Sequence, residues 1–136
     1  MTERTADAAN DVGLAWFRVA VLYFLIAVVI GISMGMRENF SLLSVHSHMN
    51  LLGWEALALI GLIYHHFPEV GRNRVAKVHF WIHNIGLPVM MLALVAKTQG
   101  NLQIDPVLGI SSLVVGVGIA MFAVNILVNA RARSIA

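Results

Sequence analysis

A chain of 136 residues, 59% of them hydrophobic and 12% charged, lies well outside the composition of soluble domains, which are about 45–50% apolar. Its net charge of +2 comes without any basic cluster interleaved with aromatics, which excludes a nucleic-acid surface; its lack of cysteine excludes disulfides, iron–sulfur clusters and covalently attached haem. Four runs, at residues 12–36, 42–67, 75–96 and 107–128, are long and apolar enough to cross a bilayer as helices, and they predict an all-α integral membrane four-helix bundle forming one domain over 1–136.

Residues 1–11 are small and polar and are expected to fray or lie on the membrane surface. The run at 12–36 reads as a span rather than a secretory signal. It is too long, its flank carries Glu3, Asp7 and Asp11, and no cleavage pattern follows. It holds Gly31 and Gly35, small residues four apart that let helices approach closely in lipid. The run at 42–67 contains the stretch HSHMNLLGWE, His46 to Glu55, and ends at Phe67-Pro68. A polar turn around Gly71 follows, and the next run opens on Lys77-Val78-His79-Phe80. Asp105 is expected to cap the last helix, with Pro106 at its first position. That last helix repeats the small-residue spacing with Ser112, Gly116 and Ala120; both small-residue sets are expected to pack within the chain. Connections of about five, eight and ten residues make successive helices antiparallel neighbours and are too short to form a docking domain.

Basic residues concentrate on the cytoplasmic side of membrane proteins. Arg4, Arg18, Arg72, Arg74, Lys77, Arg131 and Arg133 fall on one side, and only Arg37 and Lys97 on the other. Both termini are therefore expected in the cytoplasm, with the chain a multi-pass protein of a bacterial-type inner membrane.

All six histidines lie between His46 and His83. Polar side chains at membrane depth are costly and usually face a bundle interior with a task. His46 and His48 are two residues apart, about 200° on a helix, so they point to nearly opposite flanks. Each can bind a metal or haem on its own flank, or one can hydrogen-bond across the bundle. His79 and His83 are four apart on one face, a metal-compatible spacing; His79 can alternatively anchor at the interface. This pair lies roughly half a membrane away from His46 and His48, so one iron cannot join all four. His65 and His66 read as a solvated helix end. Glu55 lies about two turns from His48 on a similar face. It is the candidate catalytic carboxylate, either a proton carrier or a partner for a cation; the alternative is a protonated, merely hydrogen-bonded side chain.

Together, His46-Ser47-His48, the Leu52-Gly53-Trp54 after it, Phe67-Pro68, and Lys77-Val78-His79-Phe80 resemble subunit I of the haem–copper oxidase family, which includes cytochrome c oxidases and nitric oxide reductases. The likeness is to the tenth and eleventh of that subunit's twelve helices and covers roughly residues 45–90. It implies that His46 ligates a high-spin haem and His48 a low-spin haem; without cysteine either haem is held non-covalently, and it is expected to be haem b. Arg37, near the outer end of the first span, is at the level to pair with haem propionates; the alternative is an ordinary interface anchor. The family's subunit is similar to three four-helix units around a pseudo-threefold axis, which implies a homotrimer of this chain; with strict symmetry each interface holds one haem, with His48 of one copy and His46 of the next as axial ligands, and the alternative is a dimer with haem held within one bundle. The family's copper site has no counterpart, since His65-His66 is the only adjacent histidine pair and lies at the opposite end of the span from His46. Reduction of oxygen to water is therefore not expected.

The leading functional expectation is a membrane cytochrome that transfers electrons with a redox partner, or senses redox state or a gas. An oxidoreductase is the alternative, with one axial haem position open and His79 or His83, together with Glu55, helping to hold a second metal such as copper, doing nitric oxide or oxygen chemistry. A copper- or haem-binding assembly protein is the third reading.

Overall fold

The computed structural model describes residues 2–130, with side chains described from residue 12 onward; Arg131 and Arg133, and the side chain of Arg4, lie outside it. Every regular element among the described residues is helical. The first helix, α1 (Thr2–Arg37), begins ten residues before the apolar run does, so the backbone of the polar N-terminal stretch is helical. Its inner face is Trp16, Ala20, Tyr23, Ala27 and Met34. Those steps of four, three, four and seven residues follow one stripe of a 3.6-residue period. The opposite face, with Leu14, Leu25 and Ile32, is exposed and apolar, as a lipid-facing surface is.

A turn follows in which Glu38 takes a left-handed backbone (φ 50°) and the Asn39 carboxamide oxygen accepts the Ser41 N–H at 3.0 Å. The second apolar run is not one regular α-helix. It comprises α2 (Leu43–His48), a π-helical stretch at Met49–Glu55, and α3 (Ala56–His66). At the end of the π stretch the Ala56 N–H bonds to Leu51 O, five residues back instead of four. Gly53 sits in this stretch against α1, where an added Cβ would fall 2.5 Å from Tyr23 Cγ. Further along, Gly61 packs on the Gly13 carbonyl. The two helical runs therefore meet along a glycine-lined seam, which fixes their register.

Phe67 leaves helical geometry, and a short turn, α4 (Pro68–Gly71), leads to α5 (Arg74–Thr98). Asn73 caps α5 by accepting the Ala76 N–H at 2.9 Å. Pro88 lies inside α5 and removes one amide from its ladder. The last helix is α6 (Asp105–Asn129). Asp105 is its first helical residue, not its cap; Ile104 precedes it, and the carboxylate instead reaches Lys97 Nζ at 2.8 Å across the loop. The helix packs through Ser111, Val115, Gly118, Phe122 and Asn125. This choice of face turns Gly116 and Ala120 outward, and an added Cβ at Gly116, or at Gly35 of α1, would meet nothing within 4 Å. Of the two small-residue sets, Gly31 meets a neighbouring side chain and Ser112 is half-buried, its hydroxyl bonded to Leu108 O of its own helix. Three helical stretches, Val12–Arg37, Arg74–Thr98 and Leu102–Asn129, are long and apolar enough to cross a membrane.

Candidate functional site

His46 and His48 leave α2 on different sides, as their spacing requires. His46 turns toward α1, where its Nδ1 pairs with the Ala27 carbonyl at 2.9 Å. Its ring lies where a Cβ on Gly31 would be, 2.8 Å from Cε1. Glycine at 31 is therefore what lets the imidazole lie flat on α1. His48 is half-buried, and its Nδ1 pairs with Ser44 O of its own helix at 2.7 Å. A carbonyl can only accept, so in both rings Nδ1 carries a proton, and in the neutral imidazole Nε2 then carries the lone pair. Asn50 hydrogen-bonds to His46 O at 2.9 Å and brings its amide within 3.4 Å of His46 Nε2. Arg37 is exposed at the end of α1, beside a cleft of about 270 Å³ that also involves Ser33, Asn39 and Ser41.

Glu55 does not share a face with His48. The π stretch between them fits an extra residue into its winding, so the rotation from His48 to Glu55 falls about 100° short of an α-helix's, and the Glu55 side chain is exposed beside Leu51, Leu59 and Leu62. His65 and His66 are exposed at the end of α3, as a solvated helix end should be.

His79 and His83 form a second polar site, deep in the interior. Both are fully buried, with Trp16 and Tyr64, at 0% exposure. Burial removes the interfacial-anchor reading of His79. The Tyr64 hydroxyl pairs with His79 Nδ1 at 2.9 Å. Trp16 covers both imidazoles, with ring centroids 4.7 Å from His79 and 5.7 Å from His83. Gly118 of α6 approaches both rings from the other side. Trp16 Nε1, His79 Nε2 and both ring nitrogens of His83 complete no hydrogen bond; the backbone group that His83 faces is the Leu52 carbonyl of the π stretch. Along α1, His46 lies at Gly31 and this cluster at Trp16. Fifteen residues separate those levels, about 22 Å at 1.5 Å per residue. The two histidine pairs are separate sites.

Trp16 and Tyr64 were not among the residues that sequence reasoning singled out, because only tertiary packing brings them to His79. Asn125 was missed too. It is buried on α6, donates to Val70 O at 3.0 Å and accepts from Asn73 and Asn129. An asparagine within an apolar helix was the available signal. Among the described residues, no three histidine or acidic side chains converge as a set that could hold a metal ion. No family model, curated protein or solved structure matches the chain.

Proposed function

We propose that this chain is a four-span protein of a bacterial-type inner membrane, with both termini cytoplasmic, that holds non-covalent haem b through His46 and His48. Its task is electron transfer with a redox partner, or sensing of redox state or a gas. One observation carries this reading. Both imidazoles donate Nδ1–H to a backbone carbonyl, which orients the ring and leaves Nε2 as the ligand atom. Metal-bound histidines are characteristically held this way.

The fit is good at His48, which is half-buried on the flank away from α1. At His46, ligation requires the Asn50 amide to turn aside from Nε2. Because the two nitrogens leave opposite flanks of one helix, they serve haem on two sides. A homotrimer in which His48 of one copy and His46 of the next face a shared haem meets that requirement. Arg37 lies six residues beyond the level of His46, about 9 Å, within reach of the propionates of a haem there. A haem with two histidine ligands supplies a one-electron carrier without an open axial position. Glu55 faces outward, so acid–base work beside His48 is not part of this reading.

A second reading, a copper-holding assembly protein or an oxidoreductase with copper at His79 and His83, draws on the unpaired nitrogens of that pair. Absorption spectra of the purified protein, oxidised and reduced, with metal analysis of the same sample, separate the two. Sharp low-spin b-type bands indifferent to carbon monoxide are expected, and His48→Ala should lose them or convert them to high spin. Copper without haem would reject the cytochrome reading.

A further inference from the structure

Two opposite charges stand on the outer surface of the apolar layer with no ionic partner. Arg18 lies 200° from both Trp16 and Ala20, residues of the inner stripe of α1, so it points directly outward; its side chain is exposed, among exposed Leu14, Leu22 and Leu25. Glu55 lies 200° from buried Leu57 and is exposed between Leu51 and Leu59. Among the described residues Lys97 and Asp105 form an ion pair, and neither Arg18 nor Glu55 takes part in one. The glycine seam fixes their relative height. Gly53 is level with Tyr23. Moving toward the α4 end, Glu55 is two residues beyond Gly53 and Arg18 five residues beyond Tyr23. Their levels along the bundle therefore differ by about 4–5 Å, within the reach of an arginine side chain.

We propose that this face is an interface between copies of the chain, in which Glu55 of one copy pairs with Arg18 of its neighbour. The inference rests on the membrane reading above but not on haem. An ionised side chain facing lipid is costly and is normally paired or turned to water. A second copy supplies the opposite charge at the same depth, and the leucines around each charge cover the pair with apolar surface. Each copy carries both halves of the contact on different helices, so the contact is head-to-tail, and repetition gives a ring, a trimer included, where the rotation closes. The π stretch is part of this arrangement, since its extra residue turns Glu55 from the flank of His48 to the outer face.

The test is a charge exchange measured in lipid nanodiscs and mild detergent, with association read by native mass spectrometry and helicity by circular dichroism. Wild type should associate. Arg18→Glu and Glu55→Arg should each weaken association about tenfold or more, because like charges then meet. The exchanged double variant should recover most of that loss, since the pair is restored with its direction reversed. Arg18→Gln and Glu55→Gln, which introduce no repulsion, should be intermediate and keep wild-type helicity. A monomeric wild type, single reversals without effect, or a double variant no better than the singles would overturn the proposal. Haem content measured on the same samples keeps the two ideas apart: charge-dependent association in haem-free protein upholds the interface while rejecting the cytochrome.

Discussion

Gly31→Ala is the sharpest probe of how His46 is held. The added methyl would lie 2.8 Å from His46 Cε1 and 3.3 Å from Nδ1. The α1 backbone cannot retreat without disturbing the glycine seam, so the ring must swing. That movement breaks the 2.9 Å bond from Nδ1 to Ala27 O, which is worth about 0.5–1.5 kcal/mol. Overpacking adds about 1–3 kcal/mol. Better helix propensity returns about 0.5–1 kcal/mol. The net expectation is a loss of about 0.5–4 kcal/mol in stability. On the proposed haem reading, haem affinity should fall about 10–100-fold, as when an orienting partner of a metal ligand is lost. Gly35→Ala is the internal control. It lies four residues away on the same helix, but its Cβ meets nothing within 4 Å, so it should be neutral or slightly stabilising. Thermal unfolding followed by circular dichroism, with haem titration of both variants, reads the difference. If the two variants behave alike, His46 is not held as described.

Tyr64→Phe should cost about 1–3 kcal/mol, because it leaves buried His79 Nδ1 without the hydroxyl at 2.9 Å; equilibrium unfolding measures it, and the His46–His48 end, about 22 Å away along the bundle, should keep its spectrum. Asn125→Leu removes a buried amide that ties α6 to Val70 O, Asn73 and Asn129. It should destabilise by about 2–4 kcal/mol, with hydrogen exchange rising first around Val70–Asn73.

Composition and run length made the all-helical character and three of the membrane-length helices legible, because a lipid-facing helix must be apolar along its whole length. The spacing of His46 and His48 also transferred directly, since α2 is regular. It left open whether His46 binds a metal or hydrogen-bonds across the bundle. The geometry accommodates both, as Nδ1 makes the bond to α1 and Nε2 stays available. The π stretch was not legible. A shift of amide partner from four to five residues leaves no mark in the hydrophobic pattern, yet it rotates Glu55 off the face of His48. The small-residue spacings were legible as motifs but not as contacts. Gly31 and Gly35 carry the same pattern, and only the turn of α1 against α2 decides that one meets a ring and the other nothing. His79 and His83 were read correctly as one face. Their partners on α1 and α3 are more than ten residues away in sequence, and no local signal specifies them.

The energetics of the interior pair oppose those of the pair near the chain's first turn. At His46 and His48 each ring has a backbone acceptor, so keeping a histidine there costs little. At His83 neither nitrogen is satisfied, although the ring is fully buried among Trp16, His79 and Gly118. An unpaired buried polar group costs about 1–3 kcal/mol, and an apolar residue of similar volume does not incur that cost. If His83 serves packing alone, His83→Leu should raise the unfolding free energy by about 1–2 kcal/mol and leave the haem spectrum as it was. Chemical unfolding of the purified variant, with its absorption spectrum, checks both halves. A destabilised variant would reject that account. It would mean that the imidazole completes a bond in the folded protein, and the Leu52 carbonyl, which an α-helix would have paired with the Ala56 amide, is the acceptor it faces. The sign of that one substitution therefore decides whether His83 only fills the interior or also fastens the π turn on which the outward direction of Glu55 depends.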